Sequence, residues 1–344
     1  MSALPGVPYV YVTRGALVES IHHVIACAVD ARGEVVLARG DIDVPVYLRS
    51  AAKPFIAACV VASGAAERYG FDAREIALIA ASHNGEPEHA ATAAGMLAKI
   101  GLDVGALQCG AHAPSYEPAA KALAANGEAP TALHNNCSGK HAGILALCTH
   151  LGLDPQTYLA ADHPAQQTIL AFCARLTGDD PEKLPLAVDG CGIPVFATSM
   201  RRAAHAFARF AAPGDARDAD ARAIGIVRSA MAAEPFYVGG TGRFDSALPV
   251  ATQGRILGKA GAEGVHGDAL VGAGLGLALK IVDGTRRAVP PATIAFLDEL
   301  GALEAGARAT LAPFATPDVT SVTGRIVGTI RAGSPDTIVS PVTS

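Results

Sequence analysis

Strand-type segments lie at both ends of this chain of 344 residues, and helix-type segments occupy the region between them. Because helices separate the two groups, the pattern predicts an α+β fold in which the chain ends pair in one antiparallel sheet. Segments with strand character are 9–13, 18–30, 35–39, 255–259, 264–265, 275–282 and 320–331.

Helix signals fill the middle of the chain. The sequence from Asp72 to Glu75 has the form of a capping box, and Pro87 suits the first turn of a helix. The predicted helices are 50–63, 76–81, 87–100, 118–125, 139–151, 164–176, 196–211, 217–232 and 290–300.

The chain shows no internal repeat and no linker that would divide it into independent domains. We therefore predict a single domain over residues 1–332, followed by a polar tail at 333–344. Within the domain, the sheet part is about 1–49 and 250–332, and the mainly helical part is about 50–249.

Composition argues against several classes of protein. A net charge of −5 offers no basic surface for nucleic acid. No apolar run approaches the roughly 20 residues of a membrane helix, and residues 1–14 lack the pattern of a signal peptide. The 7 cysteines are odd in number and lack framework spacing, which favours a reducing, cytoplasmic environment.

Ser50 and Lys53 lie three residues apart at the start of an apolar segment. On a helix, residues i and i+3 share one face, so the lysine amine can reach the serine hydroxyl. A serine needs a base to become a nucleophile, and a lysine serves when burial or another cation lowers its pKa. The alternative is an N-capping serine followed by a solvated lysine.

Two further fragments extend this Ser-x-x-Lys motif. Ser82-His83-Asn84 has the form S-x-N, and Lys259-Ala260-Gly261 has the form K-x-G. The order S-x-x-K, S-x-N, K-x-G is that of serine β-lactamases and penicillin-binding proteins. Ala260 departs from their usual hydroxyl residue, and the interval from Ser50 to Ser82 is shorter than expected of them.

Six short blocks make a more specific pattern than any one motif. They lie at 49–55, 82–89, 135–143, 189–194, 239–245 and 259–265. In this order they resemble the signature blocks of the class 3, rhizobial-type L-asparaginases, the asparaginase II family. The resemblance extends over about residues 14–328. It implies a fold similar to serine β-lactamases and serine-dependent glutaminases, hydrolysis of L-asparagine to L-aspartate and ammonia, and a homodimer.

The resemblance also implies roles for particular residues. Ser50 matches the nucleophile and Lys53 its base, while Ser82 and Lys259 match a second Ser-Lys pair. Two lysines sharing the proton transfer predict an alkaline activity optimum. The implied zinc ligands are Cys137, Lys140 and Cys191, with Asp189 close to the metal, and the candidate substrate contacts are Arg49, Asn84, His141 and Asp189.

The residues alone leave the zinc site open. Two thiolates and a lysine are an unusual zinc ligand set, although Cys137 and Lys140 have the spacing of one helical turn. Free cysteines are also often buried as small apolar residues, and this is the alternative for Cys137 and Cys191.

Three rival functions remain. A glutaminase would differ by one methylene in its substrate, which is worth only about 1–3 kcal/mol in a pocket. A β-lactam or peptidoglycan enzyme would require export. In a zinc-dependent amino-acid-binding protein without turnover, the Ser-Lys pairs would only hydrogen-bond the ligand.

Overall fold

The computed structural model describes residues 4–215 and 218–333. Its strands are β1 (Val7–Arg14), β2 (Leu17–Asp30), β3 (Val35–Arg39), β4 (Pro45–Tyr47), β5 (Leu186–Val188), β6 (Pro194–Ser199), β7 (Ile256–Ala260), β8 (Val265–Leu270), β9 (Leu275–Ile281), β10 (Asp318–Thr320) and β11 (Ile326–Ala332).

Most helices lie between β4 and β7. They are α1 (Lys53–Ala62), α2 (Ala65–Arg68), α3 (Ala73–Ile79), α4 (Pro87–Lys99), α5 (Glu117–Ala125), α6 (Ser138–Leu151), α7 (Pro164–Thr177), α8 (Met200–Ala211), α9 (Ala219–Ala233), α10 (Pro235–Val238), α11 (Phe244–Ala251), α12 (Val289–Glu299) and α13 (Ala305–Ala315).

The main sheet is antiparallel and joins both ends of the chain, as predicted. Its order is β10-β11-β1-β2-β9-β8-β7, and β3 also pairs with β2. Along one edge, the long strand β2 pairs with two strands. Its first half pairs with β1 and its second half with β3. The α+β class is therefore confirmed. A second sheet has the order β4-β6-β5.

Helices cover both faces of the main sheet. Helix α8 packs on β2, β8 and β9, and α12 packs across the other face together with α11 and α13. One apolar cluster runs from the sheet through α1, α6 and α7 without interruption. No helix within the described ranges has the length and apolar character that crossing a bilayer requires.

Two predicted elements differ in part from the elements of the structure. The predicted helix 196–211 begins as strand β6, because Ser199 caps α8 by accepting a hydrogen bond from the Arg202 N–H. The predicted strand 320–331 is the β10–β11 hairpin. By contrast, the capping box of Asp72 and Glu75 is confirmed at the start of α3. The predicted tail at 333–344 lies, except for its first residue, outside the described residues.

Glycine at position 276 lets α8 approach the sheet closely. A Cβ there would lie 2.0 Å from the Ala204 carbonyl oxygen and 2.2 Å from the Ala208 nitrogen, both backbone atoms of α8. We expect Gly276→Ala to lower the free energy of unfolding by about 3 kcal/mol, because the helix backbone must move away. Urea denaturation measures this. Gly272→Ala is the control, since a Cβ there meets no atom within 4 Å, and an equal loss in both variants would contradict the prediction.

Candidate active site

Ser50 lies in a short 3-10 turn, Arg49–Ala52, directly before α1. The end of β7 packs against this turn. A Cβ at Gly261 would lie 2.7 Å from the Leu48 carbonyl oxygen and 3.2 Å from the Ala51 nitrogen. This close approach explains why the K-x-G fragment ends in glycine. A side chain at this position would push β7 away from the turn that carries Ser50.

Arg49 adopts a left-handed backbone conformation with φ of 52°, which is uncommon for a residue with a side chain. Such a conformation costs about 1–3 kcal/mol and is typical of functional sites. The Arg49 guanidinium donates from Nε and Nη2 to Oδ1 of Asp189, at 2.9 and 2.6 Å. This ion pair holds the turn in place and neutralises the charge of Arg49.

Lys53 is 1% exposed, and its amine contacts atoms from two other segments of the chain. Nζ lies 2.5 Å from the Ala81 carbonyl oxygen, 3.1 Å from Ser82 Oγ and 3.2 Å from Cys137 Sγ. Burial lowers the pKa of Lys53, although the charge of Cys137 opposes the shift. The structure thus places the Lys53 amine against the hydroxyl of Ser82. Within the described residues Ser50 Oγ has no hydrogen-bond partner, and it lines the cleft.

Lys259 lies on β7 and is fully buried beside a carboxylate. Its Nζ is 3.3 Å from Oδ2 of Asp245 and 2.6 Å from the Ala260 carbonyl oxygen. Burial lowers the pKa of Lys259 to about 8; the Asp245 charge raises it, and the nearby Lys53 charge lowers it. Two buried lysines therefore lie close enough to influence each other.

The three residues predicted to bind zinc lie together. Lys140 Nζ is 2.9 Å from Cys191 Sγ, and Lys53 Nζ is 3.2 Å from Cys137 Sγ. The neighbouring Cys191 thiol, with the charges of Lys140 and Lys53, holds the pKa of Cys137 well below its usual range. No group of three histidine, cysteine or carboxylate side chains suited to a metal occurs among the described residues.

An open cleft of about 710 Å³ lies above these groups, within the size range of small-molecule sites. Among its lining residues are Arg49, Ser50, Ser82, Asn84, Cys137, Asp189, Cys191, Arg243, Asp245 and His266. The predicted contacts Arg49, Asn84 and Asp189 thus line the cleft. His141 is fully buried outside this lining, with Nδ1 2.6 Å from the Tyr158 hydroxyl.

Asp245 and Arg243 line the cleft, although the sequence motifs assign a role to neither of them. Both belong to the block 239–245. Asp245 is the partner of Lys259, and Arg243 is held by Asn84. The sequence feature that could have indicated them is the presence of two charged residues where a Gly-rich loop leads into an apolar helix.

A buried histidine–carboxylate pair lies next to Lys259 and Asp245. His266 Nε2 is 2.9 Å from Oδ1 of Asp268, and His266 Nδ1 is 4.0 Å from Oδ1 of Asp245. Gly258 makes room for the pair, since a Cβ there would lie 2.7 Å from Oδ1 of Asp268. The carboxylates, the imidazole and Lys259 therefore form one group of charges under the cleft.

Fold and cleft together describe a protein of the α+β class in which buried amines lie against hydroxyl and thiol groups below a cleft of small-molecule size. The chain belongs to the L-asparaginase II family, whose sequence profile matches residues 10–332. The family resemblance predicted from the six blocks is thereby confirmed, and this is a family of amidohydrolases.

Comparison with curated proteins finds no match. A similar solved structure is that of Mglu in its native form, at 16% identity and a TM-score of 0.43. The alignment covers 82% of this chain and 65% of the Mglu chain, so this chain spans slightly less than two thirds of Mglu. The predicted similarity to serine β-lactamases stays a prediction.

Proposed function

We propose that this protein hydrolyses L-asparagine to L-aspartate and ammonia through an acyl-enzyme formed on Ser50. The family match supports the reaction. The observation that carries the mechanism is the buried amine of Lys53, directly below a cleft that presents both Ser50 and Ser82. The experiment that tests the function is ammonia release from L-asparagine by the purified protein.

In the proposed mechanism, Ser50 Oγ attacks the side-chain amide carbon of asparagine. A stable amide benefits from such a covalent route, because it divides one difficult step into two easier steps. We propose that backbone N–H groups beside Ser50 stabilise the oxyanion, each contributing about 3 kcal/mol to lowering the barrier.

The proton from Ser50 must reach the departing ammonia. We propose that Lys53 receives it and that Ser82, 3.1 Å from Lys53 Nζ, delivers a proton to the leaving group. We propose that Lys259 also belongs to this path. Water then attacks the acyl carbon, the same groups pass its proton to Ser50 Oγ as the ester bond breaks, and L-aspartate leaves.

The cysteine–lysine cluster brings three donor atoms together beside the cleft. Cys137 and Cys191 offer two sulfur ligands of the kind that zinc accepts, Lys140 offers an amine, and both thiols line the cleft. We propose that these three residues would hold a zinc ion, which would supply positive charge beside the substrate. The lysine ligates only as the neutral amine, so zinc binding should weaken in acid.

The pH dependence of activity should follow Lys259. A protonated Lys259 cannot accept a proton, so kcat/KM for L-asparagine should rise with pH through about 8, where this buried amine loses its proton. Asp245→Asn removes the charge that raises the pKa of Lys259. The rising limb should therefore move at least about one pH unit lower in this variant.

The control for this pH profile is Asp298→Asn, which removes an exposed carboxylate paired with Arg308. Asp298→Asn should leave the pH at which kcat/KM rises unchanged. Activity that peaks in acid and vanishes above neutrality would contradict the assignment, and so would a limb that Asp245→Asn leaves unmoved.

Glutamine hydrolysis is the nearest alternative activity, because one added methylene changes pocket affinity by only about 1–3 kcal/mol. Comparison of kcat/KM for L-asparagine and L-glutamine decides it. A non-catalytic amino-acid-binding role would show binding of asparagine without ammonia release. A homodimer in the cytoplasm stays the family-based proposal for assembly and location.

A further inference from the structure

Arginine side chains contribute three cations to the wall of the cleft, and they differ in what holds them. Arg49 is paired with Asp189, as described above. Arg286 is exposed at the rim. Arg243 is half-buried, and in the described part of the chain it forms no ion pair, although it lines the same cleft as Ser50. Against the opposing effect of burial, the charge of Arg243 helps to lower the pKa of Asp245, but these two described residues form no ion pair, so the guanidinium can still pair with an anionic ligand.

A buried amide fixes the direction of the Arg243 guanidinium. Arg243 Nη1 donates to Oδ1 of Asn84 at 3.0 Å, and the Ser115 hydroxyl donates to the same oxygen at 3.1 Å. Asn84 Nδ2 in turn donates to the Thr241 carbonyl oxygen at 3.0 Å. Because the oxygen faces two donors and the nitrogen faces an acceptor, the amide orientation is determined by its partners.

The loop that carries Arg243 is itself fastened to the protein. Glu86 accepts hydrogen bonds from the backbone N–H and the hydroxyl of Thr241, at 2.8 and 2.7 Å. Gly240 permits this contact, since a Cβ there would lie 2.5 Å from Oε1 of Glu86. The arginine therefore projects from a loop whose position is set before substrate binds, which lowers the entropy cost of binding.

We propose that Arg243 binds the α-carboxylate of the amino-acid substrate, an assignment that rests on the proposed amidohydrolase function. A guanidinium has five N–H donors, and only one of them is used by Asn84. The remaining donors can form the two parallel hydrogen bonds that a carboxylate accepts. Arg243 thus selects free amino acids over amides that lack a neighbouring carboxylate.

The test compares two substrates that differ only in that group: L-asparagine and 3-aminopropanamide, which lacks the α-carboxylate. For L-asparagine, Arg243→Gln should lower kcat/KM about 100-fold, since a charge-assisted pair of hydrogen bonds is lost. For 3-aminopropanamide the same substitution should change kcat/KM less than about fivefold. Arg243→Lys keeps the positive charge but cannot form two parallel hydrogen bonds to a carboxylate. For L-asparagine, this substitution should lower kcat/KM about 10-fold.

Arg325→Gln is the control, because it removes an exposed arginine that lies outside the lining of the cleft. It should change kcat/KM for either substrate less than about fivefold. Equal losses with both substrates in Arg243→Gln and Arg243→Lys would overturn the assignment while wild-type turnover of L-asparagine upholds the proposed function. Absence of ammonia release by the wild type would overturn the proposed function and this assignment with it.

Discussion

Replacing Ser50 with alanine is expected to reduce ammonia release from L-asparagine by about 10⁴- to 10⁶-fold, as loss of a serine nucleophile does in other hydrolases. The fold should persist, because Ser50 is partly exposed at the cleft and makes no side-chain hydrogen bond within the described residues. Ammonia release under saturating substrate, together with the thermal unfolding temperature, measures both expectations.

The structure makes Ser82→Ala the informative comparison, because Lys53 Nζ touches Ser82 rather than Ser50. A rapid acid quench of the wild type, followed by intact-mass analysis and peptide mapping, should locate an aspartyl group on Ser50. Ser82→Ala should slow turnover but still allow the adduct to form. An adduct mapped to Ser82, or catalysis surviving in Ser50→Ala, would remove Ser50 as the nucleophile.

Substitution of Cys191 by serine is expected to lower zinc affinity at least about 100-fold, since changes even in groups that only support metal ligands cost 10–100-fold. It should also raise KM, because the proposed metal ligands Cys137 and Cys191 line the cleft. Elemental analysis of the purified protein gives the zinc content independently of activity, and thermal unfolding shows whether the fold is intact.

The control for the zinc experiment is Cys109→Ser, which alters another buried cysteine. Cys109 donates to the Ala132 carbonyl oxygen and contacts none of the three proposed ligands through a described hydrogen bond. The zinc content of the Cys109→Ser variant should equal that of the wild type. Unchanged zinc in Cys191→Ser, or equal losses in both variants, would end the assignment of this metal site.

Local signals predicted much of the fold. The capping box at Asp72 and the proline at the start of α4 each act over a few residues, and the structure confirms them. The segment 196–211 was misjudged because its apolar content suits a helix, whereas pairing with β4 and β5 extends its first residues. Strand pairing is a long-range interaction, so local propensity did not reveal it.

The candidate site shows the same difference between what local motifs indicate and what long-range packing determines. The sequence motifs named Lys53, Ser82 and Lys259, and all three are buried under one cleft. They did not reveal that Lys53 contacts Ser82, because those residues are 29 positions apart and their distance depends on how α1 packs. Nor did they reveal Asp245 as the neighbour of Lys259.

From its sequence alone, this chain could be assigned its α+β class and the pairing of its two ends, because these follow from local periodicity. Short, ordered motifs and the family resemblance supplied the candidate site residues. Only the tertiary structure decided which amine meets which hydroxyl, which arginine is neutralised by Asp189 and which stays available in the cleft. The physical reason is that hydrogen bonds and ion pairs form over about 3 Å, and only the packing of distant segments sets distances that precisely.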